Sequence, residues 1–215
     1  MSTLLRAPRE RASWFWDLYE FGAPGLESAL ALAARTSEVL ALHALLVPVR
    51  LEYVWNVAGA GTTGITTTLE LAAWPLGDPG LPEQVRGSRP AAHPTADIAD
   101  FSVLGTGTWI DGEDRPRNEY RLVELSFSTA PTGLSVELAV HHDIWGRYEF
   151  SGRPHPEIHR RNAPRLAVAL RDLTALFGMP PEPGERTYFG MATVEGLAEP
   201  EADANGRGPD LTGRL

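Results

Sequence analysis

The chain has 215 residues, 43% of them hydrophobic, with six Trp, seven Phe and five Tyr, enough for one packed domain and short for two. It contains neither cysteine nor lysine, which excludes disulfides, thiolate metal sites, thiol nucleophiles, Schiff bases and a P-loop lysine. Its formal charge of −9 opposes general nucleic-acid binding, which needs a positive surface. No apolar run approaches the roughly 20 residues of a membrane helix. Residues 1–11 carry three arginines with no continuous apolar stretch after them, so no signal peptide is expected and the cytoplasm is the expected location. The all-arginine basic set suits forked recognition of carboxylate or phosphate, although abundant Ala, Gly and Pro fit GC-rich coding equally well.

In chain order, residues 9–21 read as a helix, with Trp14, Leu18 and Phe21 at i, i+4 and i+7. On such a helix Trp14 and Trp16 point about 200° apart, leaving one as a contact residue. Residues 26–46 are apolar nearly all round and predict a buried helix, with a break at Thr36-Ser37 or an extended stretch from Val39 to Val47 as alternatives. From Val49 the period becomes two: Leu51, Tyr53, Trp55 and Val57 alternate with Arg50, Glu52, Val54 and Asn56, a half-buried strand. A second strand covers Ile65 to Ala73. Between them, residues 59–64 match the dinucleotide-binding fingerprint Gly-x-Gly-x-x-Gly. Pyrophosphate binding needs a helix to start there, whereas the threonines that follow favour a strand, so a hairpin turn is expected.

A Pro/Gly-rich loop of about 22 residues, Pro75 to Ala96, follows; loops of that length are usually functional or disordered. Trp74 and Trp109, near strand ends, floor a pocket beneath it or pack in the core. Strands at about Phe101–Ile110 and Asn118–Ser128, then one from Leu134, form an antiparallel meander joined by turns at 111–116 and 129–133. In the last strand Leu134, Val136, Leu138 and Val140 share the core face, which places His142 and Ile144 inward and His141 and Asp143 together on the other face. Either Glu119 or Arg121 is level with His142, according to whether paired residue numbers sum to 261 or 263. The second register keeps Glu124 away from Glu137 and is preferred.

Four of the six histidines lie between His141 and His159. If residues 155–159 are helical, His155 and His159 stand one turn apart, a spacing that suits a metal only with further ligands such as His141 or Asp143. Asn162 is expected to cap a helix at about 162–177, with Pro164 in its first turn, a stripe of Leu166, Leu170, Leu173 and Phe177, and Gly178 as its stop. A last edge strand is expected within 187–195. No G-x-S-x-G elbow is present.

The expected architecture is α+β: a largely antiparallel sheet of five or six strands, covered on one face by N-terminal helices and the 162–177 helix. Residues 1–197 form a single domain, and 198–215 an acidic, Gly/Pro-rich mobile tail. The candidate binding residues are His141, Asp143, Trp145, Arg147, His155, His159 and Arg161, with no metal and no cofactor. The expected function is a non-catalytic cytoplasmic binding protein, of inhibitor or immunity type, masking a basic partner protein. The alternative is an enzyme or small-ligand protein with a pocket between helix and sheet. His141 or His142 would then be the acid/base, Asp143 its orienting carboxylate, and Arg147 or Arg161 an anion clamp. Neither a nucleic-acid nor a membrane partner is expected.

Overall fold

Eight strands join into one antiparallel sheet in a computed structural model that describes residues 4–19, 22–130 and 132–215. The elements are β1 (Ala12–Asp17), α1 (Leu26–Leu42), β2 (Val47–Val57), β3 (Gly61–Glu70), α2 (Leu81–Gly87), β4 (Asp97–Ile110), β5 (Pro116–Tyr120), β6 (Val123–Ser128), β7 (Ser135–Val140), α3 (Pro156–Phe177), β8 (Glu182–Pro183), β9 (Ala192–Thr193) and β10 (Gly196–Leu197). The sheet runs β3-β2-β4-β6-β7-β1-β8, with β5 pairing on β4, while β9 and β10 form a separate hairpin. α1 and α3 pack on each other and over the sheet, and their apolar stripes meet Leu51, Tyr53, Trp55, Val103, Leu125 and Leu138 in one core. The α+β class therefore holds, with eight strands in place of five or six. Among the described residues no helix is long and apolar enough to cross a membrane.

The first expected helix, residues 9–21, is instead strand β1, inserted between β7 and β8 with Ala12 opposite Val140. Alternation decides the matter. In a strand Trp14 and Trp16 share a face, and both are buried at 0% and 1% exposure while Phe15 faces outward at 38%; a helix could bury only one of the pair. Each indole removes a large area from water, so the sheet outweighs the local 3.6-residue spacing. Trp16 meets Phe177 edge-on, with ring centroids 5.2 Å apart. Phe21 lies outside the described residues.

Other elements follow local physics with adjustments. α1 runs unbroken through Thr36, whose hydroxyl bonds the Leu32 carbonyl at 2.8 Å. The glycine-rich segment at 59–64 spans the end of the β2–β3 hairpin turn and the start of β3, with Gly59, Gly61 and Gly64 at positive φ. The segment 75–96 is not wholly loop: α2 forms within it and buries Leu81 and Val85. Trp109 is buried in the core and Trp74 packs at its margin. Arg121, at φ 58, divides the expected 118–128 strand into β5 and β6. The expected 187–195 edge strand shrinks to the β9–β10 hairpin, and β8 takes the sheet edge.

α3 begins at Pro156, not Asn162. Pro156 occupies the first turn, where a missing N–H is harmless, and Pro164 falls inside the helix. Asn162, fully buried, caps nothing: its amide accepts from the Ile110 N–H (2.9 Å) and donates to the Ile110 carbonyl (2.8 Å), tying α3 to the end of β4. Residues 198–215, expected as a mobile tail, lie along the loop after β7. Gly208 N–H bonds the Gly152 carbonyl at 2.9 Å and Leu211 N–H the Phe150 carbonyl at 2.7 Å.

Candidate functional site

The β6–β7 register pairs Val123 with Val140, the 263 alignment. It leaves His141 on the outer face, half-buried, with Nε2 3.4 Å from Glu124 Oε1. Glu124 is also gripped by Arg6 and by Arg121, whose Nε and Nη2 donate at 3.0 and 2.9 Å. Burial alone would raise the Glu124 carboxyl, but the bonds from Arg121 and Arg6 hold it below the usual range. Burial lowers His141, outweighing the opposing pull of Glu124.

His142 turns inward at 1% exposure. Burial, aided by the nearby Arg6 charge, lowers its pKa to about 4, so it is neutral. The left-handed residue at Arg121 interrupts the ladder, and Glu119 Oε1 of β5 lies 3.9 Å from His142 Nε2. Both candidates named from register thus trade places: Arg121 serves Glu124, and Glu119 approaches the imidazole.

Asp143 does not share a face with His141. The strand ends and Asp143–Trp145 coil into a single 3-10 turn, which swings Asp143 inward to 1% exposure. Its Oδ1 accepts the Leu5 N–H at 3.2 Å, while its own N–H bonds the Leu5 carbonyl at 3.0 Å. Burial raises the Asp143 carboxyl to about 6, against the lowering effects of Leu5 and Arg11. Trp145, expected as a contact residue, is buried at 1% exposure because the same turn drives it into the core.

Arg11, absent from the sequence candidates, organises this corner. It is 5% exposed, donates from Nη1 to the carbonyls of Asp143 (2.7 Å) and His142 (3.3 Å), and lies 5.1 Å above the Phe150 ring. Burial lowers its pKa to about 10, and Asp143 opposes that. The hidden signal was strand parity. With residues 9–21 taken as a strand, Arg11 directly precedes the Ala12–Val140 pair and must fall beside His141 and His142.

The remaining candidates separate. His155 precedes the first turn of α3, and its Nε2 lies 2.7 Å from the Gly146 carbonyl. His159, one turn on, is half-buried beside Trp145 in a pocket of about 330 Å³. Burial lowers both imidazoles. Arg147 is exposed, its Nη1 3.4 Å from Glu199 Oε2. Arg161 is no free anion clamp: Nη1 donates to the Asp111 and Gly112 carbonyls, each at 3.1 Å, and Nε lies 3.1 Å from Asp114, holding the β4–β5 turn. Among the described residues no three His, Asp or Glu side chains group as a metal site.

An open cleft of about 770 Å³ lies beyond Arg11, between residues 148–150 and the segment 186–211. Tyr148, Phe150 and Phe189 wall it; Tyr188 and Met191 stand out from it at 71% and 42% exposure; and Glu149, Glu199, Glu201 and Asp203 contribute carboxylates. His142 and Asp143, each 1% exposed, are not among its lining residues. No family model, curated protein or solved structure matches the chain.

Proposed function

We propose that this protein is a non-catalytic binding protein that holds a basic, partly apolar segment of a partner protein in the cleft between residues 148–150 and 186–211. The observation that carries this reading is the pairing, in one open cleft, of exposed Tyr188 and Met191 with the carboxylates of Glu149, Glu199 and Glu201. Tyr and Met are favoured contact residues because they offer large adaptable apolar area. Residues 182–215 carry seven Asp and Glu against three Arg, on a chain of net charge −9, which steers a basic partner toward this edge. The enzyme alternative needs an accessible acid/base pair; His142 and His155 are instead buried, and His141 lies against Glu124, itself bound by Arg6 and Arg121. An inhibitor or immunity-type role, a cytoplasmic setting and the lack of a nucleic-acid partner belong to the same proposal.

The test is fluorescence titration with peptides that interleave Arg with Leu or Phe, against acidic peptides of matched length. Binding confined to the basic peptides, weakened by salt and reduced about tenfold by Tyr188→Ala or by Glu199→Gln with Glu201→Gln, is the expected result. No binding, or binding indifferent to those substitutions, overturns the proposal.

A further inference from the structure

The sheet has unequal edges. β8, at one end, is two residues long and contains Pro183, and β5, paired on β4, starts at Pro116 and carries Arg117 and Glu119. Short length, proline and charge all discourage a further strand from pairing. β3, at the other end, has none of these devices. It runs for 10 residues without proline, and its one charged side chain, Glu70, is already paired with Arg50 at 2.6 Å.

The free backbone groups on that edge can be named. The Leu71 N–H bonds the Val49 carbonyl at 2.8 Å, and the pairs Leu51–Leu69 and Tyr53–Thr67 continue the same alignment. Along an antiparallel ladder, pairs that exchange both bonds alternate with pairs that exchange none, so Leu69 and Thr67 spend their backbone groups on β2. Those of Thr66 and Thr68 point the other way, where no described element pairs with β3. The Thr66 and Thr68 side chains are exposed, while Ile65, Thr67 and Leu69 lie half-buried on the face that meets the core.

We infer that β3 pairs with β3 of a second copy, antiparallel about a two-fold axis, which joins the two sheets into one. Using the free groups requires Thr66 and Thr68 to fall in bonded pairs. One such alignment sets Thr66 against the partner's Thr68 and, on the core face, Ile65 against the partner's Leu69, with Thr67 meeting its own copy on the axis. Moving the axis to Thr66 or to Thr68 sets Leu69 against a threonine and loses the apolar cross-strand pair. A contact of this symmetry closes on itself and stops at the dimer. β3 and β8 are opposite ends of the sheet, so the pairing is independent of the cleft proposed above.

The chain has no cysteine, so introduced thiols test both the partner and the alignment. Thr67→Cys sets two thiols across the axis in an unbonded pair, with Cα atoms about 4.5 Å apart and within disulfide reach; mild oxidation should give a covalent dimer on a non-reducing gel. Thr66→Cys stands diagonal to its copy, about 7–8 Å away, and should cross-link at least ~10-fold less. Thr68→Pro removes an N–H that points off the sheet, so the monomer keeps its ladder. In sedimentation equilibrium over about 10 μM to 1 mM, the wild type should rise from 23.4 kDa toward twice that mass while Thr68→Pro stays at 23.4 kDa. Thermal melts check both folds, since Thr67 Oγ1 also accepts from the Trp55 indole at 2.8 Å; if one variant fails to fold, the other measurement decides. A wild type that stays monomeric throughout, equal cross-linking from Thr66→Cys and Thr67→Cys, or a dimer that survives Thr68→Pro overturns the inference. The first of these results leaves the edge to a strand of another protein.

Discussion

Asn162→Ala separates two physical roles for one residue. As a helix cap, Asn162 would be worth about 1 kcal/mol on replacement by Ala. As the buried tie observed between α3 and β4, it satisfies the Ile110 N–H and carbonyl at 2.9 and 2.8 Å and also donates to the Ile158 carbonyl at 2.9 Å. Each stranded backbone group costs about 1–3 kcal/mol. Ile110 is only partly buried, so water reaches it and the lower half of that range applies; a small packing loss adds about 0.5–1 kcal/mol. The sum is about 3 kcal/mol. At roughly 2–4 °C per kcal/mol for a chain of this length, the melting temperature should fall by about 6–12 °C. Urea unfolding followed by tryptophan fluorescence, with calorimetry, measures both quantities. Asn162→Asp sharpens the comparison. Asp is as good a cap as Asn, but here it sets a carboxylate against the Ile110 carbonyl and should destabilise at least as much as Ala. A loss below about 1 kcal/mol for Ala, or a neutral Asp variant, would refute the tie.

Three further outcomes are expected. Asp143, with a pKa raised to about 6 from an ordinary 3.8, keeps its proton in the folded state after the unfolded chain has lost it. Its contribution therefore falls as pH rises from about 4 to 6, reaching a cost of about 3 kcal/mol at neutral pH. His142, lowered from 6.5 to about 4, acts oppositely, adding stability as pH rises through that window. Asp143→Asn should leave the histidine effect unopposed, so the variant's urea midpoint climbs more steeply from pH 4.5 to 7 than the wild type's; parallel profiles would sink this account. Gly107→Ala would place a Cβ on the Leu45 carbonyl oxygen and against Leu122, and should cost about 2 kcal/mol or more because backbone cannot yield cheaply. Gly87→Ala, at the end of α2 with nothing within 4 Å of the added carbon, should instead stabilise by about 0.5 kcal/mol; thermal melts of both variants check the pair of signs.

Much of the sheet is legible along the chain because strand and turn signals are local. Leu51, Tyr53 and Trp55 announce their own face, as do Val123, Leu125 and Phe127. The glycines at 59–64 declare a hairpin once the following threonines are read as extended. At the candidate corner, the faces of its side chains were legible along β7 and not beyond it. Parity along β7 put His142 inside and His141 outside, as observed. Parity carried past the strand end then misplaced Asp143, because a 3-10 turn begins there.

The sequence by itself determined the chemistry available: no thiol, no amine, a strongly acidic chain, and an α+β alternation of apolar periods. Those follow from composition and from spacing within a single element. Only the tertiary structure decided that residues 12–17 become a strand, since its pairing partners, β7 and β8, arrive from more than a hundred residues further along the chain. That one insertion carries Arg11 to Asp143 and brings Leu5 and Arg6 of the N-terminal segment onto Asp143 and His142. Local spacing cannot report it, because the 3.6-residue pattern of Trp14 and Leu18 is real; it is outweighed by area buried across the sheet.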